Sequence, residues 1–401
     1  MAALTLGKQS NLDVTRKIIS VVIFTAFAYL SVGLPLAVLP KFIVKDLNFA
    51  PFLVGLIISL QYLATLLTRH SAGQLVDRKG SRYVVLLGLS CCGLSGVFAF
   101  LALSLVSYPL VSISLLAISR LFLGSSESYC STGATLWGMQ LAGPTETSRV
   151  ISWNGAATYL SMAIGAPLGV FCNAQFGQFG FAILTIILAI VGFFLAYRKT
   201  AIRTGNVRPV SLPILSVLSK VWIFGLGQAV GTLGFGVLST FVALFFLEKG
   251  WSNAALALSL FSIGFVGVRF IFSNTIQVFG GKNVALCAFL VEAIGLLTIW
   301  QSGDRIIAYA GAFLVGTGFS MVFPAMGVEA MKKFNDQNKG VALGVFTAFF
   351  DIALLLIGPI AGLLIPITSV QNLYGVMGCI TLLSIILLYF LFLKDTKQQI
   401  I

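Results

Sequence analysis

From residue 17 to the C-terminal end the chain is a succession of long apolar runs separated by short polar breaks. A helix needs about 20 apolar residues to cross a bilayer. Twelve runs qualify, at 17–40, 52–71, 83–104, 109–136, 150–172, 178–197, 220–247, 253–273, 284–300, 306–330, 341–365 and 371–393. They are helix-length and continuous, not ten-residue alternating segments, which predicts membrane helices and excludes a transmembrane barrel. The first run, Ile18 to Leu39, is long enough to span and lacks a small-residue cleavage pattern, so it is expected to be a membrane helix and not a removable signal.

Composition points the same way. Hydrophobic residues make up 58% of the 401 and charged residues 9%, where a soluble domain carries about 25% charged residues. The lipid bilayer is therefore the solvent, and a helix satisfies its own backbone polar groups there. The longest polar connection divides the chain into a six-helix half at 1–197, a basic, Pro-containing linker at 198–219 and a second six-helix half at 220–401. The halves repeat weakly: an offset of 200 sets Arg69 on Arg269, Gly80 on Gly280 and Arg82 on Lys282, and Pro167 falls near Pro359. The expected fold is all-α, twelve transmembrane helices in two pseudo-symmetric halves.

A net charge of +13 would suggest nucleic acid in a soluble protein. Here the positions of the charges matter more. With the N-terminus inside, twenty Lys and Arg fall on the cytoplasmic side, against Lys41, Lys45, Lys249 and Arg305 on the other, while Arg120 lies within a span. This predicts a multi-pass protein of the bacterial inner (cytoplasmic) membrane with both termini cytoplasmic. Trp251 and Trp300 are expected near the outer interface and Trp137, Trp153 and Trp222 near the inner one.

The six cysteines lack the paired spacing of metal or redox sites and read as small packing residues, and the lone His70 reads as interfacial. No nucleotide loop, His or Cys cluster, or nucleophile beside a base is present. The expectation is a non-enzyme with no cofactor, no metal, and neither nucleotide nor nucleic acid as partner.

After the second run the chain reads Gly73-Gln74-Leu75-Val76-Asp77-Arg78-Lys79-Gly80-Ser81-Arg82. This closely resembles the signature loop of the major facilitator superfamily, with Ser81 where that signature has arginine, and it falls in the corresponding loop. Physically, Asp77 is expected to latch onto the positive N-terminal end of the eleventh helix near Gly340. Gly73 would permit close packing, Gly80 a tight turn, and Arg78, Lys79 and Arg82 would hold the loop on the inner surface. The plainer reading, that the basic residues only set topology, is preferred for Lys79. The second half has Gln277 in place of Asp77, so such a latch is one-sided.

In the fourth run Arg120, Gly124 and Glu127 share a helix face, in a segment similar to one of the superfamily's proton-driven exporters. Arg120 and Glu127 rise about 10 Å apart along the axis. A nearby arginine favours the carboxylate and burial the acid, the opposition a proton-coupling group needs; the alternative is a structural ion pair. Asp351, mid-run in the eleventh, is the second candidate. Glu292 in the ninth is weaker, because the resemblance makes that helix peripheral. Gly165, Pro167 and Gly169 resemble the exporter branch's glycine and proline signature, with Ala166 inserted. Together with Gly358, Pro359 and Gly362 they are expected to let helices bend and approach where the halves meet.

The resemblance also places the substrate path along the first, fourth, seventh and tenth helices, where Tyr29, Tyr129, Gln228, Thr232, Thr317 and Ser320 are candidate lining residues. Within the superfamily the chain looks most like the bacterial YhhS/YfcJ-type group, itself similar to arabinose-efflux and multidrug-efflux permeases. The implied function is secondary active transport by alternating access. The leading reading is a monomeric, proton-coupled exporter (antiporter) of a small amphipathic or modestly polar solute. A proton-coupled importer of a small nutrient is the alternative, and a non-transporting scaffold is a third reading.

Overall fold

The computed structural model of the chain describes residues 2–143, 146–201, 214–272, 275–334 and 339–398. Among these every regular element is helical, and twelve helices reach span length. They are α1 (Ala2–Gly33), α2 (Pro51–Lys79), α3 (Ser81–Ser104), α4 (Pro109–Ala142), α5 (Thr147–Phe176), α6 (Gly180–Tyr197), α7 (Ile214–Glu248), α8 (Ala254–Ile271), α9 (Gly281–Trp300), α10 (Arg305–Met331), α11 (Lys339–Leu364) and α12 (Val370–Gln398).

Eleven stretches are long and apolar enough to cross a membrane, and one of them, Arg149–Tyr197, is 49 residues long and holds most of α5 and all of α6. Its chain direction reverses at Gly177, whose φ of +71° suits glycine. Beyond that turn Ala182 and Ile186 lie on Gly96 of α3, Ala189 on Gly93 and Gly192 on Leu89, so α6 runs antiparallel to α3. The expected twelve crossings are therefore present as helices.

The first helix ends at Gly33 and not at 40, the chain turning over 34–38, and two other boundaries that move bear on the motifs. The signature segment is helical through Lys79, and the chain turns only at Gly80, with φ +87°. In the linker, 214–219 already belongs to α7, while 202–213 lies outside the described residues.

The helices pack as two compact units, Met1–Pro35 with Leu63–Val207, and Leu36–Tyr62 with Arg208–Ile401. Packing thus departs from chain order at one segment, 36–62. In the first unit Phe24 stacks on Trp137 with centroids 5.9 Å apart, among Val85, Leu89 and Cys130. Trp137 is only 1% exposed and so belongs to this core, not to the interfacial belt the sequence suggested; its indole fills the space between α1 and α4. In the second unit Phe224, Phe289, Val322, Met326 and Phe346 form the corresponding core. Large apolar side chains such as Ile190 and Phe194 on α6 and Leu383 and Phe390 on α12 are exposed, as lipid-facing positions require. Four cysteines are buried as expected, but Cys287 and Cys379 are exposed.

Candidate functional site

In the first unit a set of polar side chains on α1, α2, α4 and α5 links these helices around the middle of α4, where Glu127 lies. This carboxyl is 4% exposed and Arg120 on the same helix 3%. The Tyr29 hydroxyl donates to Glu127 Oε1 at 3.0 Å. One turn earlier on α1, Thr25 Oγ1 donates to Asn154 Oδ1 at 2.7 Å, and Asn154 Nδ2 donates to Ser131 Oγ at 3.2 Å, tying α1 to α5 and α5 to α4.

Helix α2 lies alongside α4 in a fixed register. Thr65 Oγ1 donates to the Gly124 carbonyl at 3.1 Å, and Ser71 Oγ meets the Tyr129 hydroxyl at 3.4 Å. An offset of 58 to 59 residues sets Arg69 level with Glu127, and Arg69 is within electrostatic range of Tyr29. In sequence Arg69 counts among the twenty cytoplasmic-side cations, near the end of the apolar run 52–71. Because α2 continues ten residues further, to Lys79, it is instead a cation at the depth of the carboxyl. No spacing within a single helix could reveal this, since it depends on the pairing of two helices.

The signature residues divide by role. Gly80 makes the expected tight turn. Gly73 does not serve close packing: a Cβ there would meet nothing within 4 Å, because the neighbouring Ala72 and Val76 are the residues turned into the core. Asp77, Arg78 and Lys79 are exposed. The partner expected for Asp77, the start of α11, adjoins 335–338, outside the described residues. Arg82 donates to the carbonyl of Tyr197 at the end of α6 and lies 5.1 Å from that ring's centroid. The second unit repeats the device: Lys282 Nζ donates to the Phe392 carbonyl at 3.4 Å and sits 5.6 Å from its ring. A cation at a helix C-terminus contributes about 0.3–1 kcal/mol and an exposed cation–π contact about 0.5–1 kcal/mol. Arg82→Gln is therefore expected to lower unfolding stability by about 1 kcal/mol, read as a fall in Tm of the purified protein, with little change in transport.

Gly165 and Gly169 of α5 pack on the C-terminal end of α1. A Cβ at Gly165 would stand 2.8 Å from Gly33 Cα, and one at Gly169 would fall on the Leu34 carbonyl. Pro167, between them, lies inside the helix. Gly358 and Gly362 of α11 face the first turns of α2 within the second unit. Gly358 lies against Gly55 and Ser59, Gly362 against Pro51 and Phe52, and Ser59 Oγ donates to the Leu354 carbonyl at 3.2 Å. Pro359 is again inside the helix.

Of the other expected lining residues, Gln228 and Thr232 are fully buried and bond each other, Nε2 to Oγ1 at 3.2 Å. Ser320 is buried and donates to the Phe265 carbonyl, while Thr317 donates to the Phe313 carbonyl and lies against Gly264. These side chains serve helix contacts in this conformation. Tyr29 and Tyr129 are part-exposed. Asp351 is fully buried, and so is Glu292. Although α9 exposes Leu290 and Ile294 on its outer face, it turns Glu292 inward onto glycines of α7. Among the described residues no group of three His, Cys, Asp or Glu could hold a metal ion.

Twelve membrane-length helices in two compact units, with carboxyls buried in mid-span, define a polytopic membrane protein. Residues 21–271 and 224–400 match the family described as the Major Facilitator Superfamily, and the chain belongs to that superfamily. It is 43% identical over 365 residues to the uncharacterised MFS-type transporter YhhS of Escherichia coli K12, covering 91% of this chain and 90% of that one. The corresponding YhhS of Salmonella typhimurium is 42% identical over the same share of each chain. Among solved structures, a D-xylose-proton symporter matches with a TM-score of 0.75 at 16% identity, covering 93% of this chain and 97% of that one. The nucleoside transporter NupG matches with 0.73 at 13% identity, covering 94% and 98%. Those two likenesses show the fold. Secondary transport by alternating access is general to the superfamily.

Proposed function

We propose that the chain is a proton-coupled secondary transporter that exports a small amphipathic or modestly polar solute across the bacterial inner membrane, with both termini cytoplasmic. The observation that carries this reading is Glu127, a mid-span carboxyl 4% exposed that accepts a hydrogen bond from a phenol at 3.0 Å. A carboxyl at that depth costs about 2.5–3.5 kcal/mol when charged. Arg69 and Arg120 favour the charged form and the apolar surroundings the neutral one, so a modest change in hydration moves its proton. Asp351 is the counterpart in the second unit. The sparse charge and the aromatic, hydroxyl-bearing side chains of the path suit an amphipathic solute. Asp77 acts as a latch at the cytoplasmic end, and the transporter works as a monomer.

The second reading is proton-coupled import of a small nutrient, the coupling named for the D-xylose-proton symporter among the structural neighbours. Everted membrane vesicles energised to an acidic interior separate the two. Export predicts that members of a panel of amphipathic solutes accumulate in them and leak out when a protonophore is added. Accumulation only in right-side-out vesicles reverses the direction, and transport indifferent to the protonophore removes the proton from the mechanism.

A further inference from the structure

Glu292 is 0% exposed, and among the described residues neither of its carboxyl oxygens has a hydrogen-bond partner. The reason lies in the helix it faces. Gly231 and Gly234 of α7 form a notch into which the carboxyl is pressed: a Cβ at Gly234 would stand 2.5 Å from Oε1 and one at Gly231 3.4 Å from Oε2. Phe289, Leu296 and Val322 close around the same glycines, and Gly318 of α10 lies against the backbone nitrogen of Glu292. One turn along α7 is a second orphan, Gln228, whose Nε2 is used by Thr232 and whose Oε1 is buried with no partner among the described residues. Positions three apart on a helix bring their Cβ atoms within about 5–6 Å, so Gln228 borders the notch. Facing helices thus bury three acceptor oxygens that have no hydrogen-bond partner among the described residues.

Along the helices packed directly on α9, the other charged residues stand toward the helix ends in the sequence. On α7 the charged residues are Lys220 and Glu248, near its ends; on α9 there is Lys282 in the first turn; on α10 there are Arg305 and Glu329 at either end; and on α12 Lys394, Asp395 and Lys397 come last. Glu329 is itself held by Gly281 N–H at 2.9 Å and by Lys332. The Tyr309 hydroxyl bonds the carbonyls of Ser252 and Asn253, Tyr374 lies on Phe245 more than two turns up α7, and Cys287, Cys379 and Tyr389 are exposed. Asp351 of α11, level with the residues around Gln228 by the contacts Gly225–Phe349 and Gly236–Ile357, is another acid and has partners of its own. A bare carboxylate in this notch would be an unpaired buried charge, which proteins do not sustain.

We propose that Glu292 and Gln228 form a proton-binding site in the second unit, separate from Glu127, and that the bound proton is what allows α7 to close on α9 across the Gly231 and Gly234 notch. The proton is held as the carboxylic acid O–H and supplies the donor that Gln228 Oε1 lacks, directly or through one water. When the proton leaves to solvent, the carboxylate has to be hydrated, and water enters only if α7 and α9 part. The glycines make the site a switch, because they permit a contact tolerated in the neutral state alone.

Infrared spectroscopy of the purified protein in lipid nanodiscs tests this directly. At neutral pH the wild type shows a carboxylic-acid C=O band that Glu292→Gln loses and Glu292→Asp retains at a shifted position. Hydrogen exchange of the α7 segment 228–235 accelerates in the wild type on moving to alkaline buffer and stays flat in Glu292→Gln. Identical acid bands in wild type and Glu292→Gln, or the same pH response of exchange in both, overturn the proposal. Glu127→Gln serves as the control: loss of proton-driven transport in that variant with the Glu292 band intact separates the two sites, and a failed Glu127 assignment leaves this test unaffected.

Discussion

Glu127→Gln is expected to give a folded transporter that still equilibrates its solute across the membrane but no longer concentrates it. Glutamine has the same length, and its amide oxygen still accepts the Tyr29 hydroxyl, so the variant should still fold, read as a cooperative thermal unfolding transition of the purified protein. What is lost is titration. A group that cannot take up a proton cannot link its movement to that of a solute, and accumulation driven by a pH gradient falls to the level of empty vesicles while solute exchange at equal concentrations persists. Tyr29→Phe is the graded companion: it removes one hydrogen bond to the carboxyl, worth about 1 kcal/mol, and should move the pH dependence of transport by less than about one unit. Measuring both variants in everted vesicles at several pH values is the check. If Glu127→Gln concentrates solute normally, Glu127 is a structural acid.

The parts of this site that could be read from the chain are those set by one helix at a time. Twelve apolar runs, the Gly80 turn and the shared face of Arg120, Gly124 and Glu127 are local in sequence, and their helices form where expected. What could not be read depends on which helix faces which. Arg69 comes level with Glu127 only through the α2–α4 register, and Asn154 meets Thr25 and Ser131 only because α5 packs against both α1 and α4. Trp137 carried the right residue type for an interfacial belt, yet its aromatic surface was claimed by Phe24. Gly165 and Gly169 signalled close approach, and that one of the helices they approach is α1 follows only from the packing. Glu292 shows the limit most clearly, since its burial is produced by missing side chains on another helix, and a glycine at 231 or 234 carries no mark of what will fill its space.

The glycine pair that seats α2 on α11 carries the other large effect. A Cβ on Gly55 would fall on the carbonyl of Gly358, and one on Gly358 would lie 2.6 Å from the Gly55 carbonyl, so backbone, not a flexible side chain, would have to yield. Overpacking of this kind costs about 1–3 kcal/mol, a five- to 150-fold loss in the population of the arrangement in which α2 is seated. Gly358→Leu should therefore lower Tm by several degrees and reduce turnover by at least tenfold, an order-of-magnitude expectation from the same free-energy range. Gly344→Ala is the internal control. It lies in the same helix, a Cβ there meets nothing within 4 Å, and glycine in a helix interior is worth about 0.5–1 kcal/mol less than alanine. That variant should be as stable as wild type or slightly more so, and equally active. If Gly358→Leu and Gly344→Ala behave alike in thermal unfolding and in transport, the contact between α2 and α11 is incidental, and the second unit must hold residues 36–62 by other means.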